Sequence, residues 1–229
     1  MVTDLIFDFF GTLVQYVAGP FHTEPYSRTH DYLLQQGFEL PYEDFTFAFE
    51  VASQKLEESA NDTGQEYHMD ELGRLFFQTA FAVDPPDAVL SSFVSLFLEE
   101  WSRGIVYLDS IRPFLERLAQ NYRLSVLSNT NYPPLIHKHL SAMGVAEHFV
   151  QVFTSVEVGV RKPYPAIFQH ALEQLCVNTD AVVYIGDSYI ADYQGASSAG
   201  IRSILIDPKG KYPHVPTRIE FLFALEQHL

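Results

Sequence analysis

From Gly104 onward the sequence alternates between short apolar runs rich in β-branched and aromatic residues and segments with helical periodicity. Runs such as "YRLSVLSNT", "FVQVFTS", "AVVYIGDS" and "RSILID" are typical of strands. The segments "PPLIHKHLSAMG", "YPAIFQHALEQL" and "ADYQGASSAG" lie between them and are typical of helices. Because parallel strands need a crossover of this kind, the alternation predicts an α/β fold: a parallel sheet with helices on both faces.

The first strand is separated from this alternation by a long helical block. The N-terminal run "TDLIFDFF" has the composition of a fully buried strand. From about residue 20 to residue 101 the periodicity is helical, and in the segment "MDELGRLFFQTAF" Asp70 is the expected N-cap. The sequence therefore predicts an α/β core domain made of residues 1–15 and 105–229, with an α-helical domain, residues 16–104, inserted after the first strand.

The charge of the chain is strongly negative and unevenly distributed. The 29 acidic and 14 basic side chains give a formal net charge of −15, and residues 1–100 hold 18 of the acidic ones. Such a surface repels nucleic acid and anionic lipid, so a small molecule is the expected partner, with no nucleic acid and no membrane. No apolar run reaches the roughly 18 residues of a membrane span.

The chain has one cysteine, Cys176, and therefore no internal disulfide. We expect this side chain to pack within a helix, and the lack of disulfides favours the reducing cytoplasm as the compartment. The sequence leaves the oligomeric state open.

Polar residues stand at the C-terminal ends of four predicted strands, where open parallel sheets bind ligands. Each has an ordinary structural explanation by itself, such as a helix cap, a turn or a surface lysine, but their joint occurrence favours a common site. Paired carboxylates suit a hard cation such as Mg²⁺, while a hydroxyl and an ammonium group suit a phosphate. The residues that we single out at the four strand ends are Asp8, Gly11, Thr12, Ser128, Asn129, Lys162, Asp187 and Asp192.

The motifs around these residues resemble those of the haloacid dehalogenase-like hydrolases, and the resemblance covers nearly the whole chain. The stretches "FDFFGTL", "LSNT", "VGVRKPYPAIF" and "GDSYIADYQGASSAG" are similar to the first, second, third and fourth motifs of that family, in the same order and at fitting spacing. The helical insert resembles the α-helical cap of one large subfamily. The resemblance thus implies a Rossmann-like core with an inserted cap domain.

The resemblance also implies roles for individual residues. Asp8 would be the nucleophile, and Ser128 and Lys162 would bind the transferred group and complete the catalytic set. A carboxylate nucleophile forms a covalent acyl phosphate and so divides one difficult step into two. The implied metal ligands are Asp8, the backbone carbonyl of Phe10, and Asp187, with Asp192 beside the metal. The implied substrate-binding residues are Gly11, Thr12, Ser128, Asn129 and Lys162.

Phe10 departs from the pattern of the family's phosphatases. Those enzymes carry a second Asp two residues after the nucleophile, which protonates the leaving group and later activates water; a phenyl ring does neither. The family's 2-haloacid dehalogenases carry an aromatic residue there, because halide leaves without a proton. Those enzymes need no Mg²⁺, however, and they use a cap arginine where this chain reads "QQGFELPYE".

We therefore interpret the sequence as that of a Mg²⁺-dependent phosphatase of a small phosphorylated metabolite, acting through an aspartyl-phosphate, with Phe10 in place of the usual acid–base Asp. Two alternatives stay open. One is a hydrolase of the 2-haloacid dehalogenase type. The other is a catalytically impaired interaction module that keeps the fold.

Overall fold

The structure is a computed structural model and describes residues 1–17 and 25–229. The chain divides into two compact units, a core unit of Met1–Gln15 and Tyr107–Leu229 and a helical unit of Tyr16–Val106. The return to the core unit lies two residues beyond the boundary drawn from the sequence. The beginning of the predicted helical block, residues 20–24, lies outside the described residues.

The core unit is built on a six-stranded sheet in which every neighbouring pair of strands is parallel. The order is β5-β4-β1-β6-β7-β8, so the first strand of the chain lies in the middle. The predicted α/β class is confirmed. The strands are β1 (Asp4–Phe7), β4 (Arg123–Ser128), β5 (Phe149–Thr154), β6 (Val182–Gly186), β7 (Arg202–Ile206) and β8 (Arg218–Ile219). Two further strands, β2 (Val14–Tyr16) and β3 (Ile105–Tyr107), form a separate two-stranded sheet.

The helices of the core unit bury apolar side chains against the strands. Ile167 and Phe168, for example, are fully buried in one cluster with Ile6 of β1 and Tyr184 of β6. Strands that are apolar on both sides need this cover, which explains why β1 and β6 are buried at every position. The helices are α5 (Ile111–Leu118), α6 (Pro134–Ala142), α7 (Ser155–Val158), α8 (Pro165–Leu175) and α9 (Gly195–Ser198), with a π-helical turn at Tyr189–Gln194.

Among its described residues, the helical unit contains four α-helices around an aromatic core. The rings of Phe76 and Phe93 stack with their centroids 4.9 Å apart, and Phe45 and Phe77 pack edge-on against Phe76. Large rings supply most of the buried area in a unit of this size. The helices are α1 (Ser27–Gln35), α2 (Tyr42–Thr63), α3 (Met69–Phe81) and α4 (Asp87–Trp101).

The helix caps of this unit differ from the sequence prediction. The prediction that Asp70 caps α3 is wrong: the N-cap is His68, whose ring accepts a hydrogen bond from the Asp70 backbone N–H, while the Glu71 side chain accepts one from the His68 N–H. This is a reciprocal capping box with histidine in the usual Ser or Thr position. At α1, the buried carboxylate of Glu100 accepts hydrogen bonds from the N–H groups of Arg28 and Thr29.

A cavity of about 440 Å³ lies within the helical unit; it is lined by Tyr26, Phe45, Thr46, Phe49, Glu50, Ser53, Gln54 and Phe97. Within the described residues, we find no helix that combines the length and the apolar character needed to cross a membrane. The prediction that Cys176 packs within a helix is wrong. It is exposed and follows the last residue of α8 in a left-handed backbone conformation, with φ 55°.

Candidate active site

Asp8 comes directly after β1, at the centre of the C-terminal edge of the sheet. Its backbone N–H donates a 2.8 Å hydrogen bond to the carbonyl of Ile185 in β6, so the strand ladder continues through this residue. The residue is only 6% exposed. The strand therefore fixes the Asp8 carboxylate in place, as a nucleophile requires.

Lys162 lies between two carboxylates. Its Nζ is 2.7 Å from Oδ1 of Asp8 and 2.6 Å from Oδ1 of Asp192. The lysine is 3% exposed, so the ammonium group is shielded from water and its attraction to both acids is strong. Residues 154 positions apart in sequence are thus brought together, as their strand-end positions predicted.

The side chain of Asn129 hydrogen-bonds to the backbone of Lys162. Its carboxamide nitrogen donates to the Lys162 carbonyl at 3.0 Å, and its oxygen accepts from the Lys162 backbone N–H at 2.8 Å. The side chain therefore holds the backbone that carries the lysine, and its predicted contact with substrate stays a prediction. Its neighbour Ser128 is fully buried, and its hydroxyl makes a long, 3.5 Å hydrogen bond to the Asn129 carbonyl.

A third carboxylate, Asp187, completes the cluster at the end of β6. Asp8, Asp187 and Asp192 each offer an oxygen, and these oxygens lie within 4.8 Å of one another. Gly11 faces Asp187 so closely that a Cβ at position 11 would lie 2.2 Å from its Oδ2. Gly11 also has φ 87°, so a side chain at this position would be disfavoured for two independent reasons.

Asp192 is held in place by the loop that follows β6. Its Oδ2 accepts a 2.8 Å hydrogen bond from the Ser188 backbone N–H, while its Oδ1 faces Lys162. A Cβ at position 186 would lie 2.3 Å from the Asp192 carboxyl carbon, which explains the glycine before Asp187. Both oxygens of Asp192 thus have protein partners, and the geometry is consistent with the predicted place beside a metal.

Burial, together with the crowding of these acids, changes their pKa values. Burial raises the pKa of Asp8 to about 7, with further increases from Asp192 and Asp187, although Lys162 lowers it. Burial and the neighbouring Asp192 raise the pKa of Asp187 to about 6, even though this side chain reaches solvent. Burial lowers the pKa of Lys162, but Asp192 and Asp8 together outweigh it, so the net direction is upward. The site therefore has more negative charge than its one lysine neutralises.

The loop that follows Asp8 contains Phe10 and Thr12. Thr12 is buried, and its Oγ1 has no hydrogen-bond partner among the described residues. Phe10 is partly buried, and its ring packs edge-on against Phe9 with centroids 5.0 Å apart. Its backbone carbonyl as a metal ligand stays a prediction.

A sequence profile of haloacid dehalogenase-like hydrolases matches residues 5–200 of the chain. The chain belongs to the haloacid dehalogenase-like hydrolase family. Membership of a hydrolase family favours an enzyme over the alternative of a non-catalytic interaction module. The match includes all eight strand-end residues that the sequence singled out.

Curated relatives of this hydrolase match it over part of their length. The mouse haloacid dehalogenase-like hydrolase domain-containing protein 3 is 40% identical over 84 residues, which are 37% of this chain and 33% of the relative. A phosphoserine phosphatase of Thermus thermophilus is 32% identical over 120 residues, 52% of this chain and 47% of the relative. The chain thus spans about a third to a half of the length of these relatives.

Among solved structures, this hydrolase is similar to a 2-haloacid dehalogenase from Pseudomonas syringae pv. Tomato. The TM-score is 0.76 at 25% identity, and the match covers 99% of this chain and 97% of the other. Relatives with phosphatase names and neighbours with dehalogenase names therefore both occur, so overall similarity does not decide between these two chemistries.

Sequence reasoning missed Tyr184. Its hydroxyl hydrogen-bonds with the Lys162 ammonium at 2.7 Å and is fully buried. A signal was available, since Tyr184 is the one residue with a polar side chain in the strand "VVYIG" and lies two positions before Gly186. A buried phenol hydroxyl needs a hydrogen-bond partner, which suggests a site residue close to this strand.

Proposed function

We propose that this hydrolase is a Mg²⁺-dependent phosphatase of a small phosphorylated metabolite, which it cleaves through an aspartyl-phosphate on Asp8. One observation carries the proposal: three carboxylates converge around a single lysine, with one oxygen of each within 4.8 Å of the others. Acids of like charge are costly to bring together, above all when two of the three are buried, and a divalent cation offsets that cost. A reaction without a metal gives no reason for this arrangement.

The residues present fit Mg²⁺. Carboxylate oxygens are the ligands it prefers, and the cluster brings three carboxylates to one lysine, which leaves negative charge for a cation to neutralise. Asp8 and Asp187 would hold the ion, with the carbonyl of Phe10, and Asp192 would lie beside it. When bound, Mg²⁺ would neutralise charge on the phosphoryl oxygens and orient the phosphate.

The chain's own residues account for the steps at phosphorus. An Asp8 oxygen attacks the phosphorus atom, and the ester P–O bond breaks. The alkoxide that leaves takes a proton from water, because the side chain at position 10 carries none. Water then attacks the aspartyl-phosphate and returns Asp8 as a carboxylate with inorganic phosphate released. Lys162 supplies positive charge next to Asp8 throughout.

The covalent intermediate provides the test. Wild-type protein mixed with p-nitrophenyl phosphate and Mg²⁺ and quenched with acid should carry one phosphoryl group, located on Asp8 by peptide mass spectrometry. The variant Asp8→Asn should carry none, and Asp180→Asn, which changes an exposed acid, should match the wild type. Hydrolysis without any Asp8 adduct in repeated quenches would contradict the mechanism.

The metal assignment predicts a thermal shift that depends on pH. The native pKa of Asp8 is raised from 3.8 to about 7, so the metal-free protein loses this group's contribution to stability as pH rises towards 7. Mg²⁺ requires the ionised carboxylates and should compensate in that same range. We expect millimolar Mg²⁺ to raise the unfolding midpoint by several degrees at about pH 8 and by less at about pH 5.

Differential scanning fluorimetry with and without Mg²⁺ at both pH values measures this shift. Asp187→Asn should remove most of it, whereas Asp180→Asn should leave it unchanged. If the midpoint does not respond to Mg²⁺ at either pH, the metal assignment should be abandoned.

We also propose that the helical unit acts as a cap domain and influences which substrates are accepted. In its described part, residues 16–17 and 25–106, there are 15 acidic and 4 basic residues, which is a net charge of 4 − 15 = −11. Substrates with additional negative charge are repelled by such a field. We therefore expect higher kcat/KM for neutral or cationic phosphomonoesters, such as sugar phosphates and phosphoethanolamine, than for nucleotides and bisphosphates.

A panel of phosphoesters of similar size, assayed at low and high salt, tests this preference. The penalty on bisphosphates should shrink as salt rises, because salt screens exposed charges. A panel in which bisphosphates or nucleotides rank highest at low salt would contradict the prediction.

One observation favours a second candidate, a 2-haloacid dehalogenase. Phe10 removes the acid that an ester leaving group needs but that a halide does not. The 25% identity to a 2-haloacid dehalogenase over 99% of the chain is consistent with this function. A dehalogenase that needs no metal would have no role for the Asp187 carboxylate, and for that reason we rank this second function below the first.

A further inference from the structure

Tyr184 stands in the middle of β6, and its hydroxyl group has three partners. It lies 2.7 Å from Nζ of Lys162, 3.0 Å from the carbonyl oxygen of Leu127 and 3.0 Å from Oδ1 of Asp192. The side chain has 0% exposure, so water does not compete for these bonds. All three contacts belong to the cluster around the nucleophile.

A count of hydrogens shows what this hydroxyl does. Nζ of Lys162 has three hydrogens but four acceptors within 3.0 Å, namely Oδ1 of Asp8, Oδ1 of Asp192, the Tyr184 hydroxyl and the Leu127 carbonyl. The phenol supplies a fourth hydrogen. Every acceptor is satisfied if Lys162 donates to the two carboxylates and to Tyr184, and Tyr184 donates to Leu127.

Without the hydroxyl, the three ammonium hydrogens would still match three acceptors, but the third would have to point in another direction. The third hydrogen of the ammonium group would turn to the Leu127 carbonyl, 3.0 Å away, and this backbone group cannot move with the lysine. The phenol thus both occupies the Leu127 carbonyl and gives the ammonium group an acceptor. This arrangement directs the other two ammonium hydrogens to Asp8 and Asp192.

The Tyr184 ring is fixed by its neighbours, and the position of its hydroxyl is therefore fixed as well. Tyr184 is paired with Ile6 of the neighbouring strand β1, and its ring packs edge-on against Phe168 with centroids 5.3 Å apart. The Lys162 ammonium lies 5.4 Å from the centre of the Tyr184 ring. A side chain fixed by a central strand and by close packing makes a rigid reference point for a flexible lysine.

We propose that Tyr184 is a positioning residue for the hydrolysis reaction: its hydroxyl holds the Lys162 ammonium group between Asp8 and Asp192. This inference rests on the proposed function, in which Lys162 places positive charge beside the nucleophile. Tyr184→Phe removes one oxygen and keeps the ring, so it isolates the hydroxyl. Because hydrogen bonds to charged groups are worth more than neutral ones, we expect kcat to fall by about 10- to 100-fold with little change in KM.

A double-mutant cycle tests whether Tyr184 acts through the lysine. We would measure kcat/KM for wild type, Tyr184→Phe, Lys162→Met and the double variant, with Tyr122→Phe as a matched control. If Tyr184 positions Lys162, its substitution should have a large effect in the wild type and almost none once the ammonium group is gone. An equal loss in both backgrounds, or no loss in the wild type, would overturn the proposal.

The cycle also separates this inference from the proposed function. If the wild type does not hydrolyse phosphoesters, the proposed function fails; in that case, or if Lys162→Met has no measurable turnover, the cycle is scored by urea unfolding. The two substitutions should then be strongly non-additive in the free energy of unfolding, because they remove the same hydrogen bond. Additive effects would overturn the role of Tyr184.

Discussion

Replacement of Asp8 by Asn is expected to lower phosphoester turnover by about 10⁴-fold or more, because it removes the proposed nucleophile. Asn is nearly the same size as Asp and fits the same position after β1. The loss should therefore appear in kcat and not as unfolded protein. Steady-state kinetics with p-nitrophenyl phosphate, together with circular dichroism, measures both quantities.

The substitution Asp8→Asn, which lowers turnover, is expected to raise the stability of the metal-free protein. At about pH 8 the wild-type Asp8 is ionised despite its pKa of about 7, in a cluster with Asp187 and Asp192. Asn carries no charge there, and Lys162 keeps its 2.6 Å contact to Asp192. We expect the metal-free variant to melt a few degrees above the metal-free wild type.

Mg²⁺ should reverse this order, because it stabilises the wild type more than the variant. The exposed-site variant Asp180→Asn serves as the control for the loss of one negative charge. A metal-free Asp8→Asn protein that melts well below the wild type would show that the Asp8–Lys162 ion pair outweighs the repulsion, and our electrostatic account would be wrong.

Replacement of Phe10 by Asp is expected to raise the rate on alkyl phosphates by about 10- to 100-fold, which is the lower part of the usual contribution of a general acid. The new carboxyl group would lie two residues from the nucleophile, where it could protonate the leaving oxygen. An alkoxide depends strongly on that proton, but nitrophenolate leaves without it. The gain should therefore be much smaller on p-nitrophenyl phosphate.

Two opposing effects limit the gain. The phenyl ring of Phe10 packs on Phe9, so its removal leaves a space and lowers stability. A further carboxyl group also adds charge to a cluster that already has three acids. Phe10→Asn is the matched control, since it has the same size and the same lost packing but no acid.

Comparison of kcat/KM for the wild type, Phe10→Asp and Phe10→Asn on both ester types tests the prediction. The Asp variant should exceed the Asn variant on alkyl phosphates only. If the two folded variants behave alike on both esters, position 10 does not face the leaving group, and Phe10 does not explain any deficit in the wild type.

The sheet and much of the carboxylate–lysine cluster could be predicted, because both follow from local sequence patterns and from one general rule about parallel sheets. Strand and helix periods are read locally, and parallel strands place their C-terminal ends on one edge of the sheet. That logic was enough to bring together Asp8, Lys162, Asp187 and Asp192 from distant parts of the sequence. It was not enough to decide which of them bond to each other.

The features that could not be predicted depend on exact side-chain geometry. The Asn129 side chain hydrogen-bonds to the backbone of Lys162. The sequence shows only that Asn129 follows a predicted strand. His68 takes the cap expected from Asp70, because a ring nitrogen can accept the same hydrogen bond as a carboxylate. Tyrosine is common in strands, so the sequence predicts only that Tyr184 is a strand residue. The sequence does not show which group its hydroxyl contacts.

The central claim is that the carboxylate cluster serves metal-dependent cleavage of phosphoesters, and one paired assay tests it most directly. The wild-type protein would be given alkyl and aryl phosphomonoesters and 2-haloacids, each with EDTA and with excess Mg²⁺, and phosphate and halide release would be measured. We predict phosphate release that EDTA abolishes and Mg²⁺ restores, with no halide from any haloacid. Halide release that persists in EDTA, without phosphate release under any condition, would contradict the account and assign the site to dehalogenation.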